Sequence, residues 1–524
     1  MVHTPPCTLR ARIKAMKETR KRLKPSLVFV IALVVLSLIA ALIWPVVNRW
    51  QHTKAEEAGG TVRIGARQAP ASLDIRTETS KAVSQALLGN VYQTVVSLDE
   101  HGKVTPGLAT SWEHSSDGLT YTFQLRSGET FEDGSPVDSS AVLWSMQQVI
   151  ENKYPGYETF DNLAKVTNPS GSELVIDLKS PDSRLPYQLA TRLGIVYNRG
   201  AKVDYSRQSA GSGPYVVDSF KPGEELVLSK SKSYQGPHKA KSAKIIFSYA
   251  DQSKDQVQQV ASGKLDLAVD LSAQEAVAAK GIGSGFTLST GLSDENLVLA
   301  INNSQSAITS DDRFRQAIRY GIDRQAIANS AEGTAKALTG PLNELSVGYD
   351  ANYAPFQYDV NKASSLASYF NPSFYGGHLR LVYEDSLGQA IGDEIRDQLG
   401  KANIPVEVTM LNHDDFQDRV VNKHDYELTL LTMSNADVDQ FANPSSTMLF
   451  DDPECQQLFR MVTGAKSDDD FAAQLKQYAQ TISEKCASAW LTQKTPINAS
   501  SSKVKGFVDN MSDSYLPAWN LTAN

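Results

Sequence analysis

The chain is poor in the residues that would give it chemistry of its own. Three cysteines in 524 residues, Cys7, Cys455 and Cys486, are too few and too far apart for a zinc module or a small disulfide scaffold. The eight histidines, at positions 3, 52, 101, 114, 238, 378, 413 and 424, form no H-x-x-x-H pair, so no metal-binding helix face is written into the sequence. No G-x-x-x-x-G-K-[ST] loop occurs, because Gly263-Lys264 is followed by Leu265. Gly281, Gly283 and Gly285 follow an alanine-rich helical stretch instead of joining a strand to a helix, which speaks against a dinucleotide site. Ser212 lies in Ala-Gly-Ser-Gly-Pro, but a nucleophile elbow needs glycines where Ala210 and Pro214 stand, so a turn is expected. Asp414 and Asp415, after His413, read as the solvated start of a helix. No enzyme, cofactor or metal site is therefore expected.

Positive charge is also scarce, with one exception. The net charge is −8, yet eight basic residues against Glu18 alone give the first 24 residues +7, leaving −15 on the other 500. That acidic body lacks the clustered Lys and Arg that phosphate backbones require, so no nucleic-acid partner is expected. Residues 26–47 carry no charge over 22 positions. As a helix this run is about 33 Å long, enough for a ~30 Å hydrocarbon core. The basic residues before it place residues 1–25 in the cytoplasm and the remainder outside the cell membrane, extracellular or periplasmic. The run exceeds the usual 7–15 residues of a cleaved signal peptide and no convincing A-x-A site follows, which favours an uncleaved signal anchor. No cysteine follows it closely, so no lipid-modified N-terminal cysteine is expected.

Residues 48–58 read as a polar linker, and the length beyond them suits about three domains. Leu119, Tyr121, Phe123 and Leu125 alternate, as do Leu174, Ile176 and Leu178, the period of half-buried strands. Val142, Leu143, Met146, Val149 and Ile150 fall at helical spacing after Asp138, and Phe314, Ile318 and Ile322 after Asp311 and Asp312. From HLRLVYED to YELTLLTM, strand and helix patterns interleave, predicting an α/β architecture with crossover helices and parallel strands. Cys455 opens one helical stretch and Cys486 closes the next. An antiparallel hairpin would bring them together, and a bridge closing about 31 residues would add roughly 3–4 kcal/mol in the chain-entropy model. A Cys455–Cys486 disulfide is expected on that basis, two unpaired buried thiols being the alternative.

Residues 91–149, VYQTVVSLDEHGKVTPGLATSWEHSSDGLTYTFQLRSGETFEDGSPVDSSAVLWSMQQV, resemble the signature region of the family 5 extracellular solute-binding proteins of ABC importers, the oligopeptide- and dipeptide-binding type. Further blocks follow in the family's order: GGTVRIGARQAPASLDIRT before it, then GSGPYVVDSFKPGEELVLSKSKSYQG, LVLAINNSQSAITSDDRFRQAIRYGIDRQAI and YELTLLTMSNADVDQF. The resemblance implies a periplasmic-binding-protein-like α/β fold (class II, type C), with two hinged lobes closing on a ligand and a small extra domain. Lobe I is expected at 59–90, 193–289 and 489–524, the accessory domain at 91–192 and lobe II at 290–488. It also implies that Asp437, in Ser434-Asn435-Ala436-Asp437-Val438, takes a peptide's α-ammonium. Ser434 and Val438 depart from the Trp and Tyr of the peptide-binding pattern. Asn296 is implied to face the cleft, and Tyr154, Tyr157 and Phe160 lie where the accessory domain of longer-peptide binders reaches the ligand. The implied partners are a peptide, permease subunits and separate ATPase subunits, the protein itself being a monomer. A non-peptide solute such as a metal chelate or an oligosaccharide, or a role as envelope sensor or chaperone, is the alternative.

Overall fold

The computed structural model describes residues 59–249 and 256–523. The expected membrane helix at 26–47 and the segments flanking it lie outside the described residues. Among the described residues no helix is long and apolar enough to cross a membrane.

Two large sheets form where apolar residues occupy both faces of a strand, so each sheet needs cover on both sides. The first has seven strands in the order Thr287–Thr290, Ile497–Ser500, Leu267–Leu271, Thr61–Ala66, Lys244–Ser248, Glu225–Lys230, Tyr215–Lys221. Its central strand, Thr61–Ala66, runs parallel to both neighbours. Leu267 and Val269 pack on one core, whereas Ala268 and Leu271 pack on another. The second sheet has six strands, Ala335–Ala337, Ser488–Lys494, Asn296–Ile301, Leu428–Met433, Leu379–Glu384, Val406–Leu411. Leu299 and Ile301 face one core, Val298 and Ala300 the other. The parallel crossover read from the sequence holds for Leu379–Glu384 and Val406–Leu411, joined through the helix Gln389–Lys401. Asn296–Ile301 is instead antiparallel to both neighbours, so this sheet is mixed.

A third, four-stranded antiparallel sheet, Ala109–His114, Thr120–Leu125, Glu173–Leu178, Leu163–Ser170, carries the helix Ser139–Glu151. Asp138 caps that helix as expected, its carboxylate accepting from the N–H groups of Ser140 and Ala141. Val142, Met146 and Val149 then meet Tyr121, Phe123, Leu174 and Ile176 in one buried cluster.

The chain crosses between the two large sheets at 291–295 and 495–496, later than the expected boundaries at 289/290 and 488/489. Thr287–Thr290 still pairs with Ile497–Ser500 in the first sheet, and Ser488–Lys494 still pairs in the second. The two crossings run side by side: Gly291 N–H donates to Pro496 O at 3.0 Å, Ser293 N–H to Lys494 O at 3.1 Å and Lys494 N–H to Glu295 O at 2.8 Å.

The Ala-Gly-Ser-Gly-Pro segment is a tight approach to the backbone, not a nucleophile site. A Cβ on Gly211 would lie 1.9 Å from the carbonyl oxygen of Val91, and Ser212 is buried. The helix hairpin also exists, as Pro453–Thr463 and Asp468–Glu484. The expected Cys455–Cys486 disulfide does not: both are free, buried thiols. Cys455 sits in the first turn, its N–H bonded to Asp452 Oδ1 at 3.0 Å and its side chain in the apolar core. Cys486 lies past the end of the second helix, in a left-handed conformation (φ 56°). Its Sγ there accepts from Arg319 Nη1 at 3.8 Å, so the two sulfurs have different neighbours. Burial pushes the Cys455 thiol up to about 12, which keeps it protonated and inert.

Candidate ligand-binding site

The strand Leu428–Met433 ends at the seam between the two large sheets, and residues 434–437 turn there into the short helix Ala436–Ala442. Ser434 closes the turn by donating to Asp437 Oδ2 twice, from its N–H at 2.6 Å and its Oγ at 2.8 Å. Both bonds fall on one oxygen; among the described residues Oδ1 accepts none. The carboxylate is thus oriented by its own loop and is half-buried.

An asparagine cluster holds that loop to the crossing segment. Asn435 Nδ2 donates to Asn343 Oδ1 at 2.8 Å, and Asn343 N–H donates back to Asn435 Oδ1 at 3.0 Å. Asn343 Nδ2 in turn donates to Asn296 Oδ1 at 2.8 Å and to Ser293 O at 3.2 Å. Asn296 is 1 % exposed. Its Oδ1 is engaged by Asn343, while its Nδ2 is buried with no hydrogen-bond partner among the described residues.

Three consecutive residues of the crossing divide between two environments. Ser293 and Glu295 face the hinge: Ser293 Oγ donates to Asp513 Oδ2 at 2.9 Å, and Glu295 pairs with Lys81. Asp513, with a fully buried side chain, also meets Lys494 Nζ at 3.2 Å and Lys81 Nζ at 3.4 Å. Burial alone would raise its pKa, but Lys494 and Lys81 outweigh that and hold it below the ordinary range. Asp294, between them, faces the other way, where its Oδ1 accepts from Asn435 N–H at 3.0 Å. Burial first, then proximity to Asp437, push Asp294 up to about 6 against the pull of that N–H.

The segment after the four-stranded sheet comes near the two carboxylates. Its short helix Leu185–Gln188 carries Tyr187, whose hydroxyl is pushed well up by burial and then by Asp294 and Asp437. Arg184 pins this helix. Its Nε and Nη2 bind Asp182 at 2.9 and 3.0 Å, its Nη1 reaches Asp439 Oδ2 in the short helix Ala436–Ala442 at 2.9 Å, and its guanidinium lies 4.9 Å from the Phe459 ring centre. Ser183 adds two bonds to the C-terminal turn of Pro453–Thr463, from N–H to Thr463 O and from Oγ to Val462 O, both 2.8 Å.

The structure thus brings Asp437, Ser434, Asn435 and Asn296 together. Tyr157 is elsewhere, packed on the accessory core with Lys153 Nζ 5.9 Å from its ring, and Phe160 is buried in the same core. Tyr154 joins an aromatic group around Arg76, which stacks over Tyr205 at 4.0 Å. Sequence reasoning missed Asp294, Asn343, Tyr187 and Arg184. Asp294 could have been found, because it stands two residues before Asn296 in the segment that leads into the same strand. Nothing local marks the others.

The profile described as bacterial extracellular solute-binding proteins, family 5 Middle, matches residues 103–451. The chain belongs to that family, the solute-binding proteins of ABC importers. Its members bind solutes and are not enzymes. The chain is 26 % identical over 427 residues to the "Probable D,D-dipeptide-binding periplasmic protein DdpA" of Escherichia coli (strain K12), covering 77 % of this chain and 82 % of that one. It is also 26 % identical over 345 residues to the glutathione-binding protein GsiB of Escherichia coli O1:K1, spanning 64 % of this chain and 66 % of that one. Among solved structures, the periplasmic binding protein DppA of Helicobacter pylori in complex with peptide STSA superposes with a TM-score of 0.73 at 18 % identity, over 90 % of this chain and 99 % of that one. NikA of Staphylococcus aureus in complex with Ni(L-His)2 does so with a TM-score of 0.69 at 19 % identity, over 88 % and 100 %. At such identities the likeness shows the fold alone. It is the two-lobe α/β plan expected from the sequence.

Proposed function

We propose that this family member captures a short peptide between its lobes, with Asp437 receiving the peptide's α-ammonium, and hands it to a permease served by separate ATPase subunits. The observation that carries the reading is the Asp437 carboxylate. It is half-buried and fixed by Ser434 through one oxygen, and no lysine or arginine of the described residues forms an ion pair with it. A half-buried carboxylate with no cation of the protein beside it is a ready partner for a ligand ammonium, which it can pair with as the site loses water. The sequence relatives named for a D,D-dipeptide and for glutathione are consistent with a small peptide-like ligand. In this proposal the apolar run at 26–47 tethers the binding unit to the membrane, and the protein acts as a monomer.

The test is native mass spectrometry of the purified full-length chain, with identification of whatever copurifies. Peptides present on the parent protein and absent from the Asp437→Ala variant are the expected result. Peptide retained at unchanged affinity in that variant would remove Asp437 from the site. A metal chelate or an oligosaccharide in place of peptide would replace this reading by the non-peptide alternative, for which the Ni(L-His)2 complex of a structural neighbour is the precedent.

A further inference from the structure

We propose that Asp294 is a second ligand-binding carboxylate, so that one positive group of the ligand sits between Asp294 and Asp437 with the Tyr187 hydroxyl closing the third side. This rests on the reading of the inter-lobe seam as the ligand site and adds the residue that determines its selectivity for charge.

The geometry comes from the register of two strands. Asn296 lies opposite Met433 in an antiparallel pair. Continuing that pairing two residues outward sets Asp294 against Asn435, where the 3.0 Å bond from Asn435 N–H to Asp294 Oδ1 is found. Asp437 follows two residues later, in a turn that folds back on Ser434. A bend at Asp294 separates the three residues: Ser293 and Glu295 turn to the lysines and carboxylate of the hinge, and Asp294 turns to Asn435. The charged and titratable groups acting on Asp294 are Asp437 beyond the second-sheet strand, Tyr187 on the accessory helix, Lys81 on the helix Lys81–Leu87, and Asp513 in the C-terminal segment. Lys81 is already engaged by Glu295 and Asp513. Among the described residues Asp294 therefore keeps a half-buried carboxylate with a single backbone donor and no ion pair.

The resting state follows from the group's pKa of about 6. A carboxylate whose pKa is higher in the folded protein than in the unfolded chain weakens the fold as it ionises. Stability is highest below the unfolded value of about 4, falls as pH rises through the window from 4 to 6, and stays reduced above it.

The experiment compares the full-length parent chain with Asp294→Asn, which keeps an oxygen for the Asn435 N–H. Melting curves come first and need no ligand. The variant is expected to melt higher than the parent at pH 7.5, with the gap narrowing as pH falls from 6 towards 4. A variant that melts lower at pH 7.5 would make Asp294 structural and overturn the proposal. Calorimetric titration then uses tri-L-alanine and its N-acetyl form as probes. Parent affinity for tri-L-alanine is expected to fall about tenfold between pH 7.5 and pH 5, because at pH 5 about a tenth of Asp294 is ionised. In Asp294→Asn that pH dependence disappears and the pH 7.5 affinity drops by about the same factor. Equal binding of the acetylated probe, or wild-type affinity with wild-type pH dependence in the variant, would overturn the proposal. If the parent binds neither probe, the peptide reading fails and this proposal fails with it, whereas a parent that binds tri-L-alanine beside an Asp294→Asn variant that binds it equally overturns the proposal alone.

Discussion

Two groups of carboxylates meet at one short crossing segment, and they have opposite fates. On the hinge side, Asp513 is wholly buried yet has Lys81, Lys494 and the Ser293 hydroxyl around it, and its pKa is held down. On the seam side, Asp294 and Asp437 have backbone and hydroxyl donors but, among the described residues, no ion pair with a lysine or arginine, and Asp294 is pushed up. Burial is common to both groups, so burial alone does not separate a structural carboxylate from a functional one. The difference is the counter-charge. Where the protein supplies cations the group closes on itself; where it withholds them the site is left to be completed from outside.

The comparison can be broken most sharply at the hinge. Asp513→Ala leaves Lys81 and Lys494 without their shared partner, and a loss of about 3–5 kcal/mol in denaturant unfolding is expected. Stability from Asp513 is full above the ordinary carboxylate value of about 4 and is lost as pH falls below it towards its depressed pKa, so the parent should lose stability on acidification where the variant does not. On the seam side Asp437→Ala should leave the melting temperature nearly unchanged while costing about 2–5 kcal/mol of ligand binding, roughly thirtyfold or more, read by calorimetry. A large loss of stability there would erase the distinction between the two groups. Arg184→Ala removes the tie from the accessory helix to Asp439. Because that pair is partly exposed, about 1 kcal/mol is expected, seen as an affinity reduced about fivefold with the fold intact. The smallest effect is expected at the thiols: reductant should not shift the melting temperature, and Cys455 and Cys486 should both alkylate after unfolding without it.

Much of this fold was legible because its signals are local. Asp138 caps its helix, Tyr121, Phe123 and Leu125 alternate into the accessory core, and the segment from Leu379 to Leu411 forms the parallel strand–helix–strand unit that its pattern implied. The candidate site was half legible. The Ser434–Asp437 turn is four residues long, so its pattern survives in sequence. Arg184, Tyr187 and Asn343 reach it from segments far away in the chain, and no spacing encodes that. The cysteine pair shows the same limit from the other side. The hairpin was foreseeable from two amphipathic helices, but the left-handed turn at Cys486 sends its sulfur towards Arg319, and only the packed structure shows it.

By itself the sequence determined the charge split between the first 24 residues and the acidic remainder, the absence of phosphate-loop and zinc motifs, the alternation of strands and helices, and a run of blocks specific enough to point to the family. These follow from composition and short-range periodicity, which act over a few residues. The tertiary structure alone decided which carboxylates receive lysines and which do not, because that depends on where two crossing segments, an accessory helix and the C-terminal segment meet. Coulomb interactions fall off with distance in space, not along the chain, so Asp294 and Asp513 look alike in the sequence and differ only once the lobes are folded.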